Sequence, residues 1–189
     1  NIDNDTAGIT VAPTSGLVTT EAGGAAEFTI VLDSQPTDNV TVIVFSGNVN
    51  EGTVSHGSIT FTSANWNVPQ KVTVTGVDDP VDDGDAVYTI LVGPVITGDP
   101  KFAGLSPADV SVTNIDDDTA GIIVTPAFGL TTTEAGGKAQ FTVVLASAPA
   151  YDVAVAVSSA NTAEGMVSAA SLTFTTANWN TPQTVTVTG

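Results

Sequence analysis

Carboxylates are the side chains in this sequence whose type and spacing could support chemistry. Five aspartates fall within the acidic loop, residues 78–85, and three more follow one another in the exit triplet, residues 116–118. Two unit charges about 5 Å apart repel by about 3 kcal/mol at an effective dielectric constant near 20, so a fold that gathers these groups needs a cation. Oxygen ligands favour Ca²⁺, and there is no cysteine and only one histidine to favour a transition metal. A lone acidic run is often only a solvated loop, so the prediction depends on whether separate segments converge.

Apolar and polar residues alternate over short stretches, with clusters of Gly, Pro, Asn and Asp between them. The stretch 72–75, Val-Thr-Val-Thr, places valines on one face and threonines on the other, as in a half-buried strand. No stretch carries an apolar stripe at helical spacing. The pattern predicts an all-β fold of immunoglobulin-like antiparallel β-sandwiches. The seven strands predicted in the first copy are 9–20, 26–32, 40–46, 58–62, 71–77, 86–93 and 109–115, and 93–107 is the least regular surface segment.

Such a sandwich would bring the acidic segments together. If successive strands run up and down alternately, the turns after the first, third and fifth strands share one end with the exit from the seventh. Glu21 lies in the first of these turns and Glu51 in the next. This convergence is the reason to prefer a calcium site to a solvated loop. The predicted ligands are Glu21, Glu51, Asp78, Asp79, Asp82, Asp83, Asp85, Asp116, Asp117 and Asp118.

The sequence repeats itself at a spacing of 113 residues. Asn-Ile-Asp-Asn-Asp-Thr-Ala-Gly at 1–8 returns as Asn-Ile-Asp-Asp-Asp-Thr-Ala-Gly at 114–121, and 49 of the 76 overlapping positions are identical without a gap. This period fits an autonomous domain and is too long for a solenoid repeat. We predict repeat 1 at 1–118 and repeat 2 at 119–189, the second truncated before its last two strands. Glu134 and Glu164 repeat the two glutamates, but repeat 2 lacks an acidic loop and exit triplet, so its site is expected to be incomplete.

Composition restricts the class of partner. Twenty acidic residues against three basic ones give a formal charge of −17, which argues against binding nucleic acid or an anionic membrane. No apolar run is long enough for membrane insertion. The absence of cysteine excludes disulfides. The composition suits a bacterial extracellular or cell-surface protein, and we expect the chain to be a fragment of a longer secreted polypeptide.

Enzymatic activity is not expected. His56 is the only histidine, and hydroxyl residues without a base form no nucleophile–base pair. Paired carboxylates could suggest a glycosidase, but only 6% of the residues are aromatic, too few for a sugar-lined cleft. Trp66 and Trp179 could form a sugar platform, yet a role in closing the base of each sandwich is the better interpretation.

Several short motifs, in order, resemble those of Calx-beta domains. They are Thr-Glu-Ala-Gly-Gly at 20–24, Val-Thr-Gly-Val-Asp-Asp at 74–79, the acidic loop, and Asn-Ile-Asp-Asp-Asp-Thr-Ala-Gly at 114–121. The resemblance covers repeat 1 and the first two thirds of repeat 2. It implies a calcium-binding sandwich of the type found in exchangers, in an integrin and in bacterial surface arrays. It also implies that the ions are held by Glu21, the aspartates of the acidic loop and the exit triplet.

The resulting functional prediction is a calcium-rigidified repeat module of a large surface protein, such as an adhesin stalk, a filament or a matrix component. Its partners would be neighbouring repeats of the same polypeptide. The alternative is a recognition domain of an adhesin that binds a glycan or a protein. A third possibility is self-assembly, because repeat 2 without its last two strands would have open sheet edges that another chain could close by strand addition.

Overall fold

A computed structural model describes residues 5–189, so the first four residues of the opening motif lie outside the described part. The chain forms two compact units. The first runs to Asp79 and resumes over Gly84–Asp117, and the second consists of Pro80–Asp83 and Asp118–Gly189. No helix occurs within residues 5–189, and the described part therefore offers no helix long and apolar enough to cross a membrane. The predicted all-β class is confirmed.

The first unit is a two-sheet sandwich. One sheet has the order β1-β3-β7-β5 and the other the order β2-β9-β8-β4-β6, and the buried side chains of both sheets form one core. The strands are β1 (Ile9–Ala12), β2 (Leu17–Thr20), β3 (Ala25–Leu32), β4 (Val40–Ser46), β5 (Gly52–Val54), β6 (Ser58–Phe61), β7 (Gln70–Gly76), β8 (Ala86–Thr97) and β9 (Val110–Ile115).

Alternation of burial along the strands produces this core. In β7, Val72 and Val74 are fully buried while Thr73 and Thr75 are only half-buried, as the period-two pattern predicts. A fully buried Val or Phe contributes about 1.5–3 kcal/mol relative to an exposed one. Strand order and register are therefore held by apolar side chains, and the loops are free to carry charge.

The single strand predicted at 9–20 is wrong, because the structure divides it between the two sheets. β1 pairs antiparallel with β3, whereas β2 pairs parallel with β9. Pro13 lacks a backbone N–H, and Gly16 adopts a φ of 76°, which favours glycine. The chain can therefore leave one sheet and join the other. The sandwich is antiparallel apart from this pair among the described strands.

The prediction for 93–107 is also wrong in two respects. β8 continues to Thr97, beyond the predicted end at 93, and Phe102 is only 1% exposed. The sequence pattern predicts that the strand ends at Gly93. Gly93 and Pro94 instead lie within β8, where the pairing with β4 shifts between Val42 and Val44. The short strand β5 was not predicted, since three residues carry too little alternation.

The second unit repeats part of this architecture. Its strands are β10 (Ile122–Thr125), β11 (Lys138–Leu145), β12 (Val153–Ala156), β13 (Met166–Val167), β14 (Ser171–Phe174) and β15 (Gln183–Thr188). They form a sheet of order β10-β11-β15-β13 and a two-stranded sheet β12-β14. The buried core contains Val143, Leu145, Leu172, Phe174 and Val185. β12 occupies the sequence position of β4, but its sheet has two strands where that of β4 has five.

Asp99 ties two loops of the first unit together. Its side chain is buried, with 2% exposure. Its Oδ2 accepts hydrogen bonds from the backbone N–H of Thr37 at 2.7 Å and from the Thr37 hydroxyl at 2.9 Å, while its Oδ1 accepts one from the N–H of Lys101 at 2.8 Å. These bonds, led by that from the Thr37 N–H, hold the pKa of Asp99 below its ordinary value.

We expect Asp99→Ala to lower the melting temperature of the first unit by a few degrees, because two backbone donors lose their acceptor. A depressed pKa means that this contribution is present above the ordinary value of 3.8 and is lost as the pH falls through the folded value. The difference between variant and parent should therefore shrink in acid. Calorimetry measures both effects. Asp38→Ala, on an exposed side chain near Thr37, is the control, and an equal effect there would contradict the assignment.

Candidate metal centre

Glu21 is held at the end of β2 by backbone hydrogen bonds. Its N–H donates to the carbonyl of Ile115 at 3.0 Å, and the N–H groups of Gly23 and Gly24 donate to the carbonyl of Thr20 at 3.0 and 3.1 Å. Gly23 has a φ of 81°, which closes this turn without steric cost. The Glu21 side chain is thereby turned inward and is only 4% exposed.

Three carboxylates from separate segments of the first unit meet here. Carboxylate oxygens of Glu21, Asp78 and Asp117 lie within 4.8 Å of one another. They come from the turn after β2, the loop after β7 and the segment after β9. Glu21 is buried, and Asp78 and Asp117 are exposed. One desolvated and two solvent-accessible oxygen ligands form an arrangement that a hard divalent cation could enter from solvent.

The unfavourable electrostatics of this arrangement are reflected in the pKa of Glu21. The pKa of Glu21 is raised from 4.5 to about 7, chiefly by burial and also by the nearby charges of Asp116 and Asp79, against the lowering effect of a hydrogen bond from the Asp117 N–H. That N–H donates to Glu21 Oε2 at 3.4 Å. Without a cation, a proton on Glu21 is the favoured way to reduce the repulsion up to neutral pH.

Backbone donors hold the end of the acidic loop against the exit triplet. The N–H of Gly84 donates to Asp116 Oδ2 at 2.7 Å, and the N–H of Asp116 donates to Asp85 Oδ1 at 3.2 Å. Gly84 has a φ of 83°, a backbone conformation that favours glycine and lets the acidic loop turn back. These two bonds fix Asp85 and Asp116 near the three clustered carboxylates.

Asn114 is a buried residue that supports the segments carrying the clustered carboxylates. It was not among the residues predicted from the sequence. The side chain is 1% exposed. Its Oδ1 accepts a hydrogen bond from the Thr19 hydroxyl at 3.0 Å, and its Nδ2 donates to the carbonyl of Val77 at 3.1 Å and to Glu51 Oε2 at 3.5 Å. It therefore joins β2, β9 and the loop after β7. The sequence did contain a signal for Asn114. It lies two residues before the exit triplet, at a strand position that the alternation of apolar and polar residues predicts to be buried.

Gly76 leaves the space that Asn114 needs. A Cβ at this position would collide with the carbonyl oxygen of Thr20 and with Asn114 Oδ1. Gly76 also donates its N–H to the carbonyl of Gly24 at 3.0 Å. The strand that leads into Asp78 therefore passes directly against the turn that carries Glu21, which sets their spacing.

The remaining predicted ligands fall into two groups. Glu51 lies within the first unit, where its carbonyl accepts the N–H of Val77 at 3.1 Å, and Asp79 acts on Glu21 through its charge. Asp82, Asp83 and Asp118 belong to the second unit, where Asp82 Oδ2 accepts the N–H of Ala120 at 2.7 Å. In repeat 2, Glu134 and Glu164 are exposed.

Comparison with known proteins gives structural similarity only. No family model matches the sequence, and no curated protein matches it. Among solved structures, the apo form of the Calx CBD1 domain is 18% identical, with a TM-score of 0.43 over 58% of this chain and 96% of that chain. CBD12 from CALX1.2 is 16% identical, with a TM-score of 0.46, and the match covers 95% of this chain and 75% of that chain. The YadV chaperone is 9% identical, with a TM-score of 0.41, and the match covers 95% of this chain and 84% of that chain. Similarity at this level, to such different proteins, assigns no function.

Without metal, we expect the first unit to lose stability as the pH rises through the window from 4.5 to about 7. Folded Glu21 retains a proton there that the unfolded chain has released, so the raised pKa stabilises below the window and this contribution is gone above it. Glu21→Gln should flatten this part of the profile. Melting temperatures in chelator at several pH values measure it. Glu134→Gln, at the exposed counterpart, should follow the parent, and a flattened profile there would contradict the explanation.

We expect Gly76→Ala to lower the unfolding free energy of the first unit by about 1–3 kcal/mol, since backbone must move to admit the methyl group. Gly57→Ala, where a Cβ meets nothing within 4 Å, is the matched control. Urea unfolding followed by Trp66 fluorescence in a Trp179→Phe background reports the first unit. If Gly57→Ala lowers the unfolding free energy as much as Gly76→Ala does, the contact with Asn114 and Thr20 is not the cause of the destabilisation.

Proposed function

We propose that the first unit is a calcium-binding β-sandwich, and that the chain belongs to the repeat array of a large extracellular or cell-surface protein. One observation carries the proposal: the buried carboxylate of Glu21 lies within 4.8 Å of the carboxylates of Asp78 and Asp117. The role is structural and not enzymatic. The Calx-beta resemblance of the motifs agrees with it.

Without an ion, the carboxylate cluster carries an electrostatic cost. A buried carboxylate beside like charges is unfavourable, and the raised pKa of Glu21 expresses this. A divalent cation would offset the repulsion and replace lost hydration by direct oxygen contacts. Ca²⁺ accepts six to eight oxygen ligands in flexible geometry, so waters and neighbouring oxygens can complete its shell. Asp78, Asp79, Asp85, Asp116 and Asp117 are the residues of the first unit that would hold it with Glu21.

Calcium would also act on the connection between repeats. Asp117 is the last residue of the first unit and Asp118 the first of the continuing second unit, so the ligand segment is the connecting segment itself. Binding would restrain the chain where one repeat leads into the next. In an array, repetition of that restraint would convert a flexible chain into a stiff stalk, filament or matrix element.

The first experiment is calcium-dependent unfolding of the full chain. We expect calcium to raise the melting temperature of the first unit relative to chelator, because a ligand at 100 times its Kd stabilises by about 2.7 kcal/mol. Glu21→Gln and Asp117→Ala should lose most of this increase, whereas Glu134→Gln should retain it. No increase in the parent protein would overturn the proposed calcium binding.

The second experiment addresses rigidity and can fail independently of the first. Small-angle scattering of the full chain with calcium and with chelator measures the distribution of maximum dimensions. We expect a narrower distribution with calcium. Calcium-dependent stability with unchanged scattering would retain calcium binding and overturn the mechanical role.

A further inference from the structure

The second unit contains four residues that lie in repeat 1 of the sequence. Pro80–Asp83, the middle of the acidic loop, forms a compact unit with Asp118–Gly189, whereas the two ends of the same loop belong to the first unit. Nothing in the composition of the loop predicts this division. It requires specific contacts made by residues 80–83.

Backbone hydrogen bonds to Pro80 and Asp82 help to hold this tetrapeptide. The carbonyl oxygen of Pro80 accepts the N–H of Ala148 at 2.6 Å, and Asp82 Oδ2 accepts the N–H of Ala120 at 2.7 Å. Both donors are backbone groups of the second unit. The first bond follows β11 and the second precedes β10, so the tetrapeptide bridges the segments at the ends of two paired strands.

Val81 supplies the apolar part of the contact. It is half-buried and lines a groove of about 390 Å³ together with Ile122, Leu145, Ala148 and Val153. Leu145 belongs to the core of the second unit, and Val153 packs against it. Val81 therefore extends an apolar surface that is continuous with that core.

The two repeats differ at the loop that receives the tetrapeptide. Ala146, Ala148 and Ala150 stand where repeat 1 has Asp33, Gln35 and Thr37. In the first unit, the N–H and hydroxyl of Thr37 bind Asp99. The repeat 2 loop instead presents small side chains without charge at these positions, which leaves room for a valine and does not repel an aspartate.

We infer that this tetrapeptide recognises the following repeat through Pro80, Val81 and Asp82. The Pro80 carbonyl accepts a hydrogen bond from the backbone of the 146–152 loop, the Asp82 carboxylate accepts one from the N–H of Ala120, and Val81 forms part of the apolar wall of the groove. The partner it fits is a repeat with small, uncharged residues at the positions of Ala146, Ala148 and Ala150. This inference goes beyond calcium binding, and it gives Asp82 a structural role that needs no metal.

Amide hydrogen exchange of the full chain in chelator tests the inference. Val81→Ala and Asp82→Ala should accelerate exchange in peptides containing Ala120 and Ala148 by about three- to tenfold, as expected for loss of one modest contact. Asp83→Ala removes the same charge one residue away and is the matched control, expected to exchange like the parent. In a Trp66→Phe background, Trp179 fluorescence should show a lower urea midpoint for the first two variants only.

Several results would overturn the inference, and each can be told apart from the others. Parent-like exchange in both Val81→Ala and Asp82→Ala would overturn the inference, as would an Asp83→Ala effect equal to that of Asp82→Ala, which would indicate charge alone. Equal acceleration in β3 peptides, residues 25–32, would indicate global destabilisation and also overturn it. A calcium midpoint within about twofold of the parent in Asp82→Ala supports the structural role, and a loss as large as in Glu21→Gln would assign Asp82 to the metal instead.

Discussion

Repulsion among carboxylates is the constraint on which the loop end of the first unit depends. Glu21 is buried beside Asp78 and Asp117, and Asp116 and Asp79 add to the negative field. Such a cluster persists only if something compensates the charge. The protein itself provides part of the compensation, through backbone N–H groups that donate to Glu21, Asp85 and Asp116. A proton on Glu21 reduces the remaining repulsion and so links folding to pH, and the proposed calcium ion would act at the same place.

The sandwich below the cluster makes the repulsion unavoidable. Asn114 fixes the positions of β2, β9 and the loop after β7 through a buried set of hydrogen bonds, and Gly76 lets the backbone of β7 approach the turn that carries Glu21. An apolar core holds these elements in place, so the segments that carry the acidic side chains stay close together. Rigid positioning of like charges is the condition under which a hard cation binds and stabilises.

The acidic loop is one run in sequence but has two structural roles. Asp78, Asp79 and Asp85 lie in the first unit, near Glu21 and Asp116, whereas Pro80–Asp83 belongs to the second unit. The loop can divide in this way because Pro80 and Val81 interrupt the acids with an apolar pair, and Gly84 allows the chain to turn back. An apolar contact is thus embedded in a predominantly acidic segment.

The sequence by itself determined the fold class, the repeat and the candidate residues of the cluster. Alternation in β7 and the identity of 49 positions out of 76 are local signals, and turn residues such as Gly84 act through their own φ. The sequence could not determine the split of residues 9–20 between two sheets, or the burial of Phe102 and Asp99 in a segment read as surface. Those outcomes depend on partners 20 to 100 residues away, such as Thr113 for Val18 and Thr37 for Asp99.

Tertiary structure alone decided which acids share a site. All ten predicted ligands look alike in sequence, yet only Glu21 among them is nearly excluded from solvent, and Asp82 accepts a hydrogen bond from a backbone N–H of the second unit. The physical reason is that composition fixes how much charge a chain carries. Burial and distance, which set the pKa of a carboxylate and its capacity to bind a cation, exist only after distant segments have packed together.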